Sequence, residues 1–431
     1  MILAHGIGGR SDLPLPVSIL VVGAAAVLVV SFVALGMLWT RPRFQDGPRY
    51  DGASVRVPTR TVLAAVGLVG LLLVIGQVVP PLLGMERSRI RPTVAPVAVW
   101  VALWLVVPIT SAVIGNWYAD LNPWRTLARG LGIGNQERIG LPHTVGLWPA
   151  TVVFLAFAWF ELVSPHPGDP TTLGFVVLGY TVFLLGAMSW AGRESGLAVF
   201  DFFTPYNRLI SAISPLGRNR HGEVVWRGWL RALAVIPEWP GLWVFAVVMI
   251  ATVSYDGAVG SEWLRALGGG LVDTTGGRTV LLLVSVAVVA LGYYLACAIA
   301  ARLSGGGWRP LEVAQRFAHT LIPIGLAYAL SHYFTLVLFE GQQMVAALSD
   351  PFGLGWDLFG TSDYRVDFFI RTSTPVWLSQ VAFIVGGHLA GVVLAHDRSL
   401  QDFGGGAGRS QYAMLVLMIA LTSLALLILS G

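Results

Sequence analysis

The stretch PVSILVVGAAAVLVVSFVALGMLW, residues 16–39, decides the fold. It holds no charged residue, and it exceeds the roughly 20 apolar residues that cross a hydrocarbon core about 30 Å thick. Similar apolar stretches recur to the end of the chain. We therefore predict ten membrane spans, at residues 16–39, 61–83, 94–113, 147–163, 171–190, 239–254, 279–301, 317–339, 376–396 and 412–430.

The composition agrees with a chain that lies in a lipid bilayer. Of 431 residues, 55% are hydrophobic and only 12% are charged, whereas soluble domains carry about 25% charged residues. The predicted fold class is an all-α, polytopic helix bundle of about ten transmembrane helices. We treat residues 1–431 as a single transmembrane domain.

Two residue counts limit the possible chemistry. All 27 basic residues are arginine, so the chain lacks the lysine of a P-loop or of a Schiff base. We therefore expect no ATP site, and we expect no nucleic-acid partner because the arginines lie in short loops. Cys297 is the single cysteine, which rules out an internal disulfide or a cysteine-ligated cluster; we expect a small buried hydrophobe.

The distribution of arginine predicts the orientation. Most arginines fall in loops that follow odd-numbered spans, and the positive-inside rule places those loops in the cytoplasm. The prediction is a multi-pass protein of the cytoplasmic membrane with both termini extracytoplasmic. Residues 191–238 then form a cytoplasmic interfacial loop, and residues 340–375 form an extracytoplasmic loop.

The loop 191–238 contains a candidate amphipathic helix. Trp226, Leu230 and Leu233 would share one helical face, with Arg227 and Arg231 beside them. Such a helix either lies on anionic lipid or packs on the bundle.

Short capping motifs suggest a weak internal repeat. Asp120–Trp124 (DLNPW) and Asp201–Tyr206 (DFFTPY) each carry a candidate N-cap, Asn122 or Thr204. Pro123 and Pro205 would then occupy the first helical position. Residues 349–352 (SDPF) use the same pattern and predict a further short helix.

Histidines are the only ionisable residues that we predict deep inside the spans. His332 and His388 lie within the eighth and ninth spans, and His319 and His396 lie near the cytoplasmic ends of the same two spans. From a rise of 1.5 Å per residue, His332 lies about 10 Å and His388 about 18 Å from the outer face. An ionisable group inside a membrane is a candidate functional site.

A metal site near the outer face is one interpretation. We take His332, His388 and Glu340 as candidate catalytic residues, and His332, His5 and Asp350 as candidate ligands of a divalent metal such as zinc. Other carboxylates of the outer loop are Asp357, Asp363 and Asp367. A bound metal would supply hydroxide at neutral pH.

Three other interpretations stay open. The histidines could form a proton or ion relay, although no aspartate or glutamate is predicted at mid-membrane to support it. Bis-histidine haem between His332 and His388 is not expected, because their depths differ by about 8 Å. In the simplest alternative the imidazoles bond to backbone carbonyls or to Tyr328 and only fix helix packing.

Three segments carry a resemblance to a known family. They are AHGIGGRSDLPLP (residues 4–16), LSDPFGLGWDLFG (residues 348–360) and GHLAGVVLAHDR (residues 387–398). With these segments the chain resembles multi-pass bacterial proteins commonly labelled fenitrothion hydrolase. The resemblance implies membrane-bound cleavage of organophosphate triesters and a second, related membrane subunit as partner. It transfers no catalytic residue.

The function expected from these observations is metal-assisted hydrolysis of an apolar phosphotriester at the outer face. The alternatives are a transporter or permease that uses the intramembrane histidines, and a non-catalytic membrane assembly subunit.

Overall fold

A computed structural model describes residues 16–48, 50, 54–55, 60–88, 91–135, 141–219, 221–368 and 373–429. Among these residues the main helices are α1 (Val17–Leu38), α2 (Arg60–Leu82), α3 (Val94–Ile114), α4 (Trp148–Leu162), α5 (Pro170–Ala191), α6 (Arg193–Phe200), α7 (Phe203–Ser211), α8 (Leu242–Val259), α9 (Thr275–Leu303), α10 (Ile322–Phe339), α11 (Ser373–Phe403) and α12 (Ala407–Leu429). The predicted all-α bundle is confirmed.

Shorter elements connect these helices. Helical turns occupy Tyr118–Leu121, Pro123–Gly130, Leu141–Thr144, Arg231–Ala234, Glu262–Gly268, Gly269–Asp273, Pro310–Phe317, Ala318–Leu321, Glu340–Gln342, Gln343–Ser349 and Gly404–Gly406. Strands β1 (Leu216–Arg218) and β2 (Val224–Trp226) form one antiparallel hairpin, in which Leu216 pairs with Trp226.

Hydropathy and length identify the membrane-crossing helices. Within the described part of the chain, eight helical stretches are long and apolar enough to cross a membrane. One of these stretches, Thr374–Leu429, contains both α11 and α12, while α4 is a shorter apolar helix. Each of the ten predicted spans overlaps one long helix, so the chain is a multi-pass membrane protein. We call the end that holds residues 340–368 the predicted outer end, and the opposite end the predicted inner end.

The segment 191–238 differs from the predicted interfacial loop. Helices α6 and α7 bury most of their side chains within the bundle. The predicted amphipathic helix is wrong: Trp226 ends strand β2, and Leu230 adopts a left-handed conformation with φ of 61°. Only Arg231–Ala234 is helical there. A right-handed helix cannot run through Leu230, because such a helix requires a negative φ at every residue.

The two capping motifs contact each other through a buried carboxylate. Asp201 is fully buried and accepts hydrogen bonds from the hydroxyl groups of Tyr180 and Thr204, both at 2.6 Å. The Asn122 amide donates to the same carboxylate at 3.3 Å. Asp201 therefore joins α5, α7 and the turn that precedes Pro123–Gly130.

The predicted caps are right at one motif and wrong at the other two. Asn122 accepts a hydrogen bond from the backbone N–H of Arg125, and Pro123 begins the helix, as expected. Thr204 is instead the second residue of α7, and Asp201 accepts from the backbone N–H of Phe203. Ser349 ends a helix rather than beginning one.

Helices α10 and α11 approach closely through glycine. A Cβ atom at Gly387 would lie 2.3 Å from the Cβ of Ala327, and one at Gly391 would lie 2.9 Å from the carbonyl oxygen of Thr320. Small residues four apart allow membrane helices to pack backbone against backbone. This contact fixes the hairpin that holds His332 and His388.

Candidate functional site: a buried aspartate–histidine pair

A hydrogen-bonded aspartate–histidine pair connects α8 and α10 inside the bundle. The Nε2 atom of His332 lies 2.9 Å from the Oδ2 atom of Asp256, and the hydroxyl group of Tyr333 donates to the same oxygen at 2.8 Å. The Asp256 side chain is 4% exposed and that of His332 is 18% exposed. Asp256 therefore orients the imidazole and is itself held by a second donor.

Helix α8 brings Asp256 into the bundle because it runs beyond its predicted end at residue 254, to Val259. Gly257 follows directly, and a Cβ atom there would lie 2.2 Å from Ile428 on α12 and 3.5 Å from the Nδ1 atom of His332. The glycine therefore lets α12 and the imidazole approach α8 at the level of this pair.

A small cavity lies beside His332. Its volume is about 30 Å³, and its lining includes Ser254, Tyr328, Ser331 and His332. In the described part of the chain, the Oγ atom of Ser331 is buried without a hydrogen-bond partner, and the Nδ1 atom of His332 forms no hydrogen bond with a described residue. A water molecule needs roughly 10–15 Å³ of such space, so the cavity fits two or three water molecules.

A second carboxylate lies near the pair. Glu161, on α4, is 7% exposed and interacts electrostatically with Asp256. The hydroxyl groups of Tyr206 and Tyr333 are also within electrostatic range of Glu161, and the Trp104 side chain faces it. Five helices, α3, α4, α7, α8 and α10, thus contribute to one buried polar cluster.

The part of α3 that faces this cluster is unusual. Residues Val97–Val106 form a π-helix, which carries Trp100 and Trp104. The Trp104 ring lies 5.1 Å from that of Tyr206 and 5.7 Å from that of Phe154. Such wide turns are rare and often occur beside functional sites.

His388 is the next imidazole along the predicted path. It is fully buried, and its Nδ1 atom donates to the backbone carbonyl of Ile384 at 2.8 Å. Its Nε2 atom has no hydrogen-bond partner among the described residues. The His388 ring lies 5.7 Å from that of Tyr328, which lines the cavity beside His332. Tyr328 is thus close to both histidines, and its hydroxyl group donates to the backbone carbonyl of Leu421.

The two histidines at the predicted inner end have structural contacts. The Nδ1 atom of His319 lies 3.0 Å from the backbone carbonyl of Arg316. His396 uses both ring nitrogens, Nδ1 at 2.7 Å from the amide oxygen of Gln411 and Nε2 at 2.8 Å from the carbonyl of Trp39. His396 thereby connects α11 and α12 to the end of α1.

Two of the predicted site carboxylates, Asp350 and Glu340, have partners of their own. Asp350 is buried and accepts hydrogen bonds from the backbone N–H groups of Leu354 and Gly355, each at 2.9 Å, with Arg91 at 3.7 Å. Glu340 accepts from the side chain of Gln343. Within the described ranges, no three histidine, cysteine or acidic side chains are arranged to hold a metal. His5 lies outside those ranges, so the predicted metal set stays a prediction.

Sequence reasoning missed Asp256 and Glu161. Both carboxylates lie near the predicted outer ends of their helices and are buried within the bundle, so buried ionisable groups are not confined to the histidines. The sequence did offer a signal for these two residues, because each acid lies within four residues of the end of a long apolar stretch. Cys297 is buried, as predicted.

Comparison with protein families, with curated proteins and with solved structures finds no match to this chain. The resemblance to fenitrothion hydrolase-like proteins therefore stays a prediction.

Energetic coupling between Asp256 and His332 can be measured with a double-mutant cycle. We expect Asp256→Asn and His332→Gln together to cost about 1–3 kcal/mol less free energy of unfolding than the sum of the single changes, because the residues share one hydrogen bond. The measurement is reversible unfolding in mixed micelles. As control, Asp256→Asn with His396→Gln, at opposite ends of the bundle, should be additive within about 0.5 kcal/mol. Additivity in both pairs would contradict the hydrogen-bonded pair.

Proposed function

We propose that this protein is a membrane transporter in which the Asp256–His332 pair binds and releases a proton. The observation that carries the proposal is the geometry of His332. One of its ring nitrogens is held by a buried carboxylate, and its side chain lines a cavity that fits water. Imidazole changes charge near neutral pH, and paired ionisable groups inside a membrane bundle are typical of proton relays.

The neighbouring residues support a path for the proton. Tyr328 is four residues before His332 on α10, a displacement of about 6 Å along the helix. It contacts His388, whose Nε2 atom has no described partner. The row His332, Tyr328, His388 leads from the predicted outer end toward the middle of the bundle. The carboxyl group of Asp256 bonds to its first member, and the buried carboxyl group of Glu161 interacts electrostatically with Asp256.

The cavity volume favours a proton over a phosphotriester as the species bound at His332. Pockets for small organic ligands enclose about 300–1,000 Å³, roughly ten times the volume beside His332. An organophosphate triester would require α8, α10 and α12 to separate.

Proton movement can be measured in sealed vesicles that contain the full chain and a pH-sensitive dye. With an imposed potassium diffusion potential, we expect proton flux several-fold above that of empty vesicles. His332→Ala and Asp256→Asn should abolish it, because each removes one half of the proton-binding pair. His396→Gln, at the opposite end, is the matched control and should retain most of the flux. Wild-type flux equal to that of empty vesicles would contradict the proposal.

The second candidate is the metal-assisted phosphotriester hydrolase expected from the resemblance. The observation that favours it is the Nδ1 atom of His332, which forms no hydrogen bond with a described residue and would be available as a metal ligand. Glu340 and the outer loop lie beyond the end of the same helix, and His5 would complete the site. Asp350 would have to leave its bonds to Leu354 and Gly355.

Elemental analysis of the detergent-purified protein separates the two candidates. The hydrolase predicts about one divalent metal, such as zinc, per chain, and predicts its loss in His332→Ala because the ligand is removed. It also predicts that the product of ester hydrolysis is still released in detergent, where no sealed membrane separates two compartments and transport cannot be observed. Wild-type protein without metal and without product release would reject this candidate.

We infer that the protein lies in the cytoplasmic membrane with both termini extracytoplasmic, supported by the arginine distribution. Because Cys297 is buried, a Cys297→Ala background allows single-cysteine labelling. We expect a membrane-impermeant maleimide to label Asp363→Cys in intact cells, since that side chain is 89% exposed. Leu131→Cys, exposed at the predicted inner end, should react only after permeabilisation. The opposite pattern would reverse the orientation.

A further inference from the structure

A compact group of cations and aromatic rings lies where α1 leaves the bundle. Two turns before this point α1 still exposes apolar side chains, and its last residues, Met37 and Leu38, are 73% and 76% exposed. The chain then continues through Trp39 to Arg43 and Phe44. Since the exposed apolar side chains of a membrane helix face lipid, the residues that follow them directly lie at the level of the lipid headgroups.

Two guanidinium groups stack on two adjacent rings at this level. Arg43 lies over the ring of Trp39 at 4.5 Å, and Arg231 lies over the ring of Phe44 at 5.8 Å. The two rings are themselves 5.4 Å apart. Arg231 also donates to the backbone carbonyl of Arg43. The two positive charges are thus fixed in one small area by cation–π contacts.

The nearby acids do not neutralise these cations. Within the described residues, neither Arg43 nor Arg231 forms an ion pair with a carboxylate. Asp397 is buried beneath them and accepts hydrogen bonds from the indole N–H of Trp39 and from the backbone N–H of Arg43. Asp46, an acid close in sequence to Arg43, is already engaged in an interaction. Each guanidinium carries five N–H donors, and each uses only one of them in the hydrogen bonds described.

The chain is held in a strained conformation beside Arg231. Leu230 is the only described residue other than glycine with a positive φ, and such strain often accompanies a functional constraint. The turn directs Arg231 onto Phe44 and leaves the neighbouring Trp229 side chain 52% exposed. An exposed tryptophan beside arginine is typical of a membrane interface, where the ring lies among the headgroups.

We propose that Arg43 and Arg231 bind the phosphate of an anionic phospholipid, with Trp229 lying against the same lipid. Two guanidinium groups without a paired carboxylate at headgroup level match the phosphodiester of a lipid whose headgroup is otherwise uncharged. They would repel the ammonium group of a zwitterionic lipid, and so discriminate against it. The lipid would connect the end of α1 to the segment 229–234, which lie far apart in sequence. This inference does not depend on the proposed transport function.

The test is lipid binding by the full chain in detergent, followed by native mass spectrometry. The probes are dioleoyl phosphatidylglycerol and dioleoyl phosphatidylcholine, which share their acyl chains. Wild-type protein should retain the anionic lipid preferentially. Because each arginine near a membrane surface contributes about 1 kcal/mol, Arg43→Gln with Arg231→Gln should weaken phosphatidylglycerol binding about thirtyfold. The matched control, Arg302→Gln with Arg309→Gln, removes two exposed cations at the same end and should change binding less than threefold.

Three results would overturn the proposal. They are equal binding of the two lipids, equal losses in the two double variants, and displacement of the lipid by millimolar inorganic phosphate, which would indicate a site for the free anion. Trp229→Ala guards against a folding defect in the arginine variants, because its side chain is exposed. The Trp229→Ala variant should bind phosphatidylglycerol several-fold more weakly while its unfolding temperature stays unchanged. Undiminished affinity of this variant would also reject the proposed contact.

Discussion

A carboxylate buried between membrane helices needs partners within the protein, because hydrocarbon offers no hydrogen bonds and charge is strongly penalised there. Asp256 meets this need with the Nε2 atom of His332 and the hydroxyl group of Tyr333. The requirement fixes the relative position of α8 and α10. It also explains Gly257, which leaves room for α12 and for the imidazole at this level. The surrounding helix packing and the orientation of His332 both depend on this one interaction.

The four intramembrane or interfacial histidines differ because their surroundings differ. His396 has a partner for each ring nitrogen and connects three helices. His332 has one nitrogen held by Asp256 and lines a cavity. His388 resembles His332 in having one occupied nitrogen, but it is fully buried. The described contacts thus separate His396, with both ring nitrogens bonded, from His332 and His388, which each have one ring nitrogen without a described hydrogen bond.

Hydropathy predicted the long helices well because lipid imposes a minimum apolar length on each span. Hydropathy did not predict α6 and α7, because their apolar sequences are too short to span a membrane. Neighbouring helices, rather than lipid, cover these two helices. Periodicity failed at Trp226 and Leu230 because a single left-handed residue interrupts the helical pattern. His332 was identifiable from its place in an apolar run, whereas its partner Asp256 was not. The identity of the residue that bonds to His332 depends on where α8 ends and on which helix packs beside it.

Asp201 and Asp256, two of the buried aspartates, show why burial alone does not identify a proton site. Burial raises the pKa of Asp201, which opposes its charge, and the hydrogen bonds from Tyr180, Thr204 and Asn122 act against that rise. These donors are hydroxyl and amide groups that do not change charge near neutral pH, so Asp201 has no partner with which to exchange a proton there. Asp256 instead shares one oxygen atom between a tyrosine hydroxyl and an imidazole. Imidazole does titrate near neutral pH, and the second carboxyl group, that of Glu161, interacts electrostatically with Asp256. The titratable partner, rather than the buried carboxylate itself, is what distinguishes a site for proton transfer from a structural hydrogen-bond centre.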